Sequence, residues 1–248
     1  MPTLLGPDGR PLTLSNAELE EEASAATLTG VRNAWSEYPS RGITARRLMH
    51  ILDDADRGEA TAFLELAEEL EEKDLHYAAV LGVRKRAVAQ LEIKVDPASD
   101  DARDIDIAEE IENEVFARDE FQDELIDILD ALAKGYSVCE IVWRTSASQW
   151  RPAQILHRDP RWFRWDHETG RILQLRDDIG DVPLTPGKFI THLAKAKSGL
   201  PIRGGLARGA VWFWMFRNYT LKDWLIFLER FSMPLRLGKH PGGASEED

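Results

Sequence analysis

The triplet His157-Arg158-Asp159 matches the start of the catalytic loop of protein kinases. In that loop the aspartate accepts the proton of the substrate hydroxyl, and an asparagine five residues later holds a metal ion. Here the fifth residue after Asp159 is Arg164, and neither an Asp-Phe-Gly motif nor a glycine-rich lid is present. The triplet therefore does not predict phosphoryl transfer. A turn at Asp159-Pro160 is the simpler interpretation, with Asp159 accepting nearby backbone hydrogen bonds.

A glycine-rich segment, GGLARG at residues 204–209, is superficially similar to a phosphate-binding loop. In a Walker motif the loop continues into a lysine and a serine or threonine, which contact phosphate and magnesium. In this chain those positions are Ala210 and Val211. The segment therefore predicts no nucleotide site, and no cofactor is expected.

Histidines and nucleophiles indicate no clearer site. His157, His167 and His192 lie among acidic residues, but no pair has the spacing of a helical metal motif or a cysteine partner. Ser198 lacks the flanking glycines of a nucleophile elbow. The single cysteine, Cys139, lies in an apolar run, which is typical of a buried structural thiol in a reducing compartment. We therefore predict no catalytic, cofactor-binding or metal-binding residue, and a protein that is not an enzyme.

Four cations, Lys195, Lys197, Arg203 and Arg208, lie within fourteen residues and are interleaved with glycines. A glycine-rich backbone can approach a polyanion closely, and phosphates are bound mainly through such positive charges. The pattern predicts a basic loop that contacts DNA or an acidic neighbouring subunit. Two alternatives remain open, a solvated linker and an intersubunit salt-bridge site satisfied by the acidic first half of the chain.

The charge of the chain is unevenly distributed. Residues 1–130 carry 32 acidic and 13 basic residues, whereas residues 131–248 carry 12 acidic and 18 basic residues. The halves are therefore expected to face different partners, although solvated acidic helices would give the same counts. The most apolar stretch, residues 209–216, is too short to span a bilayer, and the N-terminus has no basic leader followed by an apolar core. We expect synthesis in the cytosol and no membrane contact.

Apolar residues at a period of about 3.6 predict helices over most of residues 44–134. The first begins after Thr44 and ends near Gly58, the second covers residues 63–70, and the third runs from its N-cap, Asp74, to residue 89. Strict alternation at residues 91–95, LEIKV, predicts one half-buried strand. Two acidic amphipathic helices follow, at residues 105–115 and 121–132, and Gly135 ends the second.

After Gly135 the pattern changes to short β-like segments, with a hairpin turn at residues 166–170. The segments are residues 137–143, 154–157, 162–165, 171–175 and 188–193. Helical spacing returns at residues 206–231 in an aromatic-rich helix, whose Trp and Phe stripe predicts ordinary core packing, with an intersubunit surface as the rival interpretation. If that face is buried, Arg217 needs a carboxylate or carbonyl partner.

A series of motifs in one order resembles the Mu-like family of tailed-phage portal proteins, from about residue 40 onward. The motifs are EEKDLH at 71–76, RKRAV at 84–88, KGYSVCEIVW at 134–143, HRDPRWF at 157–163, KFI at 188–190, KSGLPIRGGL at 197–206, Trp212, RNY at 217–219, DW at 223–224, FSMPLR at 231–236 and GGAS at 242–245. No single motif is decisive. Their number and common order make chance a poor explanation.

The resemblance implies an α+β subunit of a ring, usually of twelve copies, at one capsid vertex around a DNA channel. By order along the chain, residues 1–40 would be a flexible N-terminal arm, 41–144 a helical wing-like region, and 145–195 a β-rich clip and stem module. Residues 196–248 would hold the basic loop and a long helix running through stem into wing. Ser245-x-x-Asp248 resembles the capping box of a helix whose body is absent, and full-length relatives continue further, so the chain is expected to be a shortened portal.

The implied partners are further copies of the chain, phage DNA, the large terminase subunit, the major capsid protein and the tail connector proteins. The implied locations are the host cytoplasm during assembly and then the virion. One alternative is a monomeric virion adaptor derived from a portal gene. Another is a nucleic-acid-processing enzyme, which would need a metal or nucleotide site that the sequence does not display.

Overall fold

The structure is a computed structural model that describes residues 15–146 and 149–232. Helices and two small antiparallel sheets form this part of the chain, which confirms the predicted α+β fold. The predictions for residues 233–248, including the capping-box-like end at Ser245, lie outside the described residues. Among the helices that the structure describes, none is both long and apolar enough to cross a bilayer.

Helices and strands are numbered in chain order. The helices are α1 (Asn16–Glu20), α2 (Ala45–Asp56), α3 (Thr61–Lys73), α4 (Leu75–Ala89), α5 (Ala102–Ile111), α6 (Phe121–Ile128), α7 (Ala131–Lys134) and α8 (Ala207–Phe231), and a π-helical turn, Glu112–Phe116, extends α5. The strands are β1 (Tyr136–Thr145), β2 (Trp150–Arg158), β3 (Phe163–Trp165), β4 (Leu173–Leu175), β5 (Val182–Pro183) and β6 (Phe189–Leu193).

The helix ends predicted at Thr44, Asp74 and Gly135 are confirmed by their capping geometry, although the helix predicted at residues 121–132 is divided into α6 and α7. The Thr44 hydroxyl accepts a hydrogen bond from the Arg47 backbone N–H at 3.2 Å, which satisfies one free donor at the start of α2. The Asp74 carboxylate does the same for the first turn of α4. Gly135 ends α7 with a φ of 97°, a left-handed conformation that glycine adopts without strain.

The strand predicted at residues 91–95 is wrong for the described chain. The segment belongs to no strand and pairs with no other segment, and Leu91 and Ile93 are 65% and 36% exposed. Alternation of apolar and charged residues gives a strand its two faces, but a strand also needs a neighbour for its backbone N–H and C=O groups. No segment of the described chain supplies that neighbour.

The two sheets are three-stranded and antiparallel, in the orders β2-β1-β6 and β3-β4-β5. In the second sheet the predicted hairpin turn at residues 166–170 is confirmed, and the Asp166 carboxylate accepts backbone hydrogen bonds from Thr169, Arg171 and Ile172. β1 pairs with both β2 and β6, so the first sheet extends across the expected boundary at residue 144. The helical and β-rich regions therefore share this strand.

Residues 15–24 lie against the first sheet, although the sequence predicts a flexible arm at residues 1–40. Leu19 is fully buried, and the Ser24 hydroxyl and amide donate to the buried carboxylate of Glu140 on β1. The Lys188 ammonium donates to the carbonyl oxygens of Glu18, Leu19 and Glu21 and lies 3.7 Å from Glu140. The acidic run predicts a solvated arm, but Lys188, which is distant in sequence, holds this segment against the sheet.

The main core lies between α2, α3, the first half of α8 and the two sheets. Tyr136 is fully buried there, and its hydroxyl donates to the Pro160 carbonyl at 2.8 Å. Its ring meets Trp165 edge to face, with 5.3 Å between the ring centroids. This contact joins β1 of the first sheet to β3 of the second, which fixes the sheets relative to each other.

The glycine-rich segment at residues 204–209 makes a close backbone crossing with the end of α7. The Leu206 backbone N–H donates to the Leu132 carbonyl at 2.9 Å. A Cβ atom on Gly205 would collide with the Ala133 carbonyl oxygen and the Gly135 nitrogen. Gly204 and Gly205 therefore allow close backbone packing at the start of α8.

Gly205→Ala is expected to lower the free energy of unfolding by about 2–3 kcal/mol, because two backbone segments would have to move apart. Gly209→Ala is the matched control, since Gly209 faces open space within α8 and alanine there is expected to raise stability by about 0.5–1 kcal/mol. Urea unfolding of both variants measures the difference. Equal stability of the two variants would contradict the close crossing.

Candidate assembly and DNA-contact surfaces

The charged residues of the kinase-like triplet make contacts within the fold. Arg158 forms a buried ion pair with Glu140, with Nε 3.0 Å from the carboxylate. Asp159 accepts a hydrogen bond from the Arg161 backbone N–H at 2.9 Å and pairs with the same residue's guanidinium. The turn predicted at Asp159-Pro160 is confirmed, and both charged residues of the triplet are held by neighbours on the same chain.

Cys139 lies on β1 and is 1% exposed, which confirms the prediction of a buried structural thiol. Burial raises the pKa of this thiol to about 12, so it is protonated at neutral pH. Within residues 15–146 and 149–232, no three or more His, Cys, Asp or Glu side chains form a group that could hold a metal ion.

The four cations of the predicted basic loop divide into two pairs. Arg208 donates to the Asp56 carboxylate at 2.8 Å and to the Leu52 carbonyl at 3.1 Å, both on α2. Arg203 lies 3.8 Å from the same Asp56 carboxylate. An acidic side chain of the first half therefore satisfies both arginines within one chain, and they anchor α2 to the start of α8.

Lys195 and Lys197 are exposed and lie beyond the end of β6. Together with Arg171 they line a cavity of about 300 Å³ whose other walls include Leu193 and Leu200. Within the described ranges, no carboxylate lies within ion-pair distance of these three cations. The positive charge available to a partner is therefore at Lys195, Lys197 and Arg171, and sequence inspection alone misses Arg171.

The long helix α8 is buried in its first half only. Val211 and Met215 are 1% and 0% exposed, whereas Trp224, Phe227 and Phe231 in the second half are 58%, 56% and 68% exposed. The core packing predicted for the aromatic stripe is thus wrong for the second half, where the described chain offers no covering element. The rival interpretation, an intersubunit surface, agrees with this exposure.

The exposed aromatic side chains form one line along α8. At about 100° per residue, Phe213, Trp224 and Phe231 lie on one side of the helix and Val211 and Met215 lie on the opposite side. With Phe216 and Phe227, these side chains expose on the order of 600 Å² of apolar surface. Single chains seldom expose a larger apolar patch, and a stable interface buries about 800 Å² on each partner. We name this surface, residues 213–231 of α8, the aromatic ridge.

Arg217 lies beside the aromatic ridge, and its guanidinium is 2.8 Å from the Asp74 carboxylate. The Arg217 side chain is 48% exposed, so the burial under which the sequence predicts a carboxylate or carbonyl partner is absent, yet Arg217 has a carboxylate partner in Asp74. Asp74 also caps α4, and the positive charge of Arg217 contributes to holding the pKa of Asp74 below its usual value, against the effect of burial. The ion pair therefore fixes the direction in which α8 leaves the core.

These surfaces are typical of a structural subunit that assembles with other chains. The long helix α8 exposes an apolar ridge, and exposed cations lie beside the edge strand β6. The charged residues of the catalytic-like motif form ion pairs and hydrogen bonds within the chain. Comparison with known proteins agrees with that class.

The family model described as the portal protein of Mu bacteriophage matches residues 64–248. The chain is 33% identical over 253 residues to the portal protein of Escherichia phage Mu, covering 100% of this chain and 48% of that protein. It is also 33% identical over 239 residues to the Mu-like prophage FluMu protein gp29 of Haemophilus influenzae, covering 94% of this chain and 45% of that protein. The chain belongs to the Mu portal protein family, and it spans about half the length of the curated relatives it matches.

Proposed function

We propose that this chain is a subunit of a phage portal, a ring at one capsid vertex through which DNA enters and leaves the head. The observation that carries the proposal is the aromatic ridge of α8, which is exposed in a member of the portal family. A ridge of this size is stable in water when a neighbouring subunit covers it. The ring of about twelve copies inferred from the sequence resemblance is part of the same proposal.

The regions of the chain fit the parts of a portal subunit in order. Residues 41–144 would form the wing, 145–195 the clip with its stem flanks, and 196–248 the path from stem back into wing. The packed helices α2–α7 support the first assignment, and the two sheets support the second. The first sheet would stiffen the junction between wing and clip, since β1 begins in one region and pairs with strands of the other.

The portal would act as a conduit and would make or break no covalent bond. Duplex DNA moving through a channel needs contacts that hold phosphates without reading bases, which long-range electrostatics provides. Lys195 and Lys197, with Arg171, are the cations proposed for contact with DNA or with a neighbouring subunit. Terminase, the major capsid protein and the tail connector proteins are the proposed further partners, in the host cytoplasm during assembly and then in the virion.

DNA binding by the assembled protein should respond selectively to these cations. Replacing Lys195 and Lys197 with Gln is expected to lower the slope of log affinity against log salt by about 1.8, because each neutralised phosphate of duplex DNA contributes about 0.9. Arg203→Gln is the control, since that arginine lies 3.8 Å from Asp56. The measurement is fluorescence anisotropy of duplex DNA over a range of salt concentrations.

Equal slopes for the wild type, the double variant and the control would remove the DNA role of these lysines. Loss of the oligomer in the double variant would instead assign them to the intersubunit contact. Sedimentation of each variant before DNA is added separates the two results.

A further inference from the structure

The segment at residues 91–95 has the sequence pattern of a strand but no partner strand in the described chain. It alternates three apolar residues with Glu92 and Lys94, and the side chains of Leu91 and Ile93 are exposed. In the described part of the chain, no backbone hydrogen bond involves residues 92–95. Its sequence favours β structure, and the backbone N–H and C=O groups of residues 92–95 would gain partners from a strand edge supplied by another chain.

A matching edge exists at β6. This strand is the last one of the order β2-β1-β6 and pairs only with β1, leaving its other side without a strand. Thr191 is exposed, and Leu193 is 45% exposed. Exposed edges of this kind pair readily with an added strand.

The charges that flank the two segments select their relative direction. Residues 91–95 are followed by the exposed acids Asp96, Asp100 and Asp101, and β6 is followed by the exposed cations Lys195 and Lys197. A parallel pairing places these acids beside these lysines. An antiparallel pairing would instead bring the end of α4, with the exposed cations Arg84 and Arg86, toward the lysines. Opposite charges favour the parallel arrangement and like charges oppose the other.

We propose that residues 91–95 of one copy add to the β6 edge of the next copy as a parallel strand. The contact uses two different patches, so it is heterologous and can close into a ring when the rotation between copies permits. This inference rests on the proposed portal function, because it names the surfaces through which neighbouring subunits would meet. It also gives the lysines at 195 and 197 an acidic partner on the neighbouring subunit.

The pairing can be tested with two single-cysteine variants of the full chain, Lys94→Cys and Thr191→Cys. Each carries one new exposed thiol, and Cys139 is buried with a pKa raised to about 12, so only the new thiols react readily. When the variants are mixed, a thiol cross-linker of about 8 Å is expected to join them. The yield should be about tenfold above that of Lys94→Cys mixed with Glu168→Cys, a thiol in the exposed hairpin turn.

Charge exchange provides a second and independent test. Asp96→Lys with Asp100→Lys is expected to weaken assembly about tenfold or more, and so is Lys195→Glu with Lys197→Glu. Combining the four substitutions should restore assembly to within about threefold of the wild type, because the charges are again opposite. All four side chains are exposed, so folding should be unaffected and circular dichroism checks this.

The outcomes separate this inference from the proposed function. Rings that form normally without the cross-link, and with no rescue by charge exchange, would overturn the strand addition and leave the portal proposal in place. A wild-type chain that does not assemble, together with cysteine variants that do not cross-link, would overturn both. Cross-linking and rescue in open oligomers that never close would support the strand addition and contradict the ring.

Discussion

Replacing Lys188 with Met is expected to release residues 15–24 from the sheet and to lower the free energy of unfolding by about 3–5 kcal/mol. The ammonium of Lys188 is 1% exposed and donates to three carbonyl oxygens around the end of α1. It also lies beside the Glu140 carboxylate, which is fully buried. Without Lys188 that carboxylate loses one of its two cationic neighbours, and the three carbonyls lose their donor.

Urea unfolding and limited proteolysis measure the two effects of Lys188→Met. The proteolytic site is expected within residues 15–24, whose carbonyl groups Lys188 holds in the wild type. Arg57→Met is the control, because the Arg57 side chain is 77% exposed and its pair with Asp54, at 3.9 Å, contributes little. Adding Glu140→Gln to Lys188→Met should cost less than the sum of the two single changes, since the residues act on each other. Strictly additive losses would show that the buried pair is not coupled.

The second large effect is expected on assembly. Replacing Trp224, Phe227 and Phe231 with Ser is expected to weaken self-association at least about 100-fold, since a buried aromatic anchor commonly contributes 2 kcal/mol or more to an interface. All three side chains are more than half exposed in the single chain, so its stability should change little.

Sedimentation velocity over a range of concentrations tests the substitution of the aromatic ridge. Trp35→Ser is the matched control, because Trp35 is 73% exposed but lies in the N-terminal segment, away from α8 in sequence. An equal loss of assembly in the control would indicate a general effect of surface hydrophobicity. Unchanged assembly of the triple variant would remove the aromatic ridge from the interface.

Local signals in the sequence predict much of the helical part. Thr44, Asp74 and Gly135 mark helix ends through short-range chemistry, since a cap needs only a side-chain oxygen or a residue that tolerates positive φ. The helix pattern also predicts a carboxylate or carbonyl partner for Arg217 if its face of the helix is buried. Its partner, Asp74, lies on another helix and is seen only in the folded chain.

The errors concern features that depend on distant partners. Residues 91–95 have the alternation of a strand, but alternation gives no information on whether a neighbouring strand is present. The acidic run around Glu20 predicts a solvated arm because Lys188 and Arg158, which hold this segment, are far away in sequence. The four cations of the basic loop look equivalent in sequence. In the structure Asp56 on α2 pairs with Arg203 and Arg208 but not with Lys195 and Lys197.

The candidate surfaces also depend on contacts between residues that are distant in sequence. The aromatic stripe of α8 is plain in the sequence, yet apolar spacing is the same for a helix in a core and a helix at an interface. Only the exposure of Trp224, Phe227 and Phe231 distinguishes the two. Arg171 lies near Lys195 and Lys197 only in the folded chain, and no local sequence pattern indicates this proximity.

Negative-stain imaging of the purified chain, with its mass in solution measured on the same sample, tests the central claim most directly. The expected result is a closed ring with a central channel and a mass that is a whole multiple of 28.1 kDa, near twelve copies by the family resemblance. A mass of one copy at micromolar concentration, with no ring in the images, would contradict the portal proposal and favour a monomeric virion adaptor.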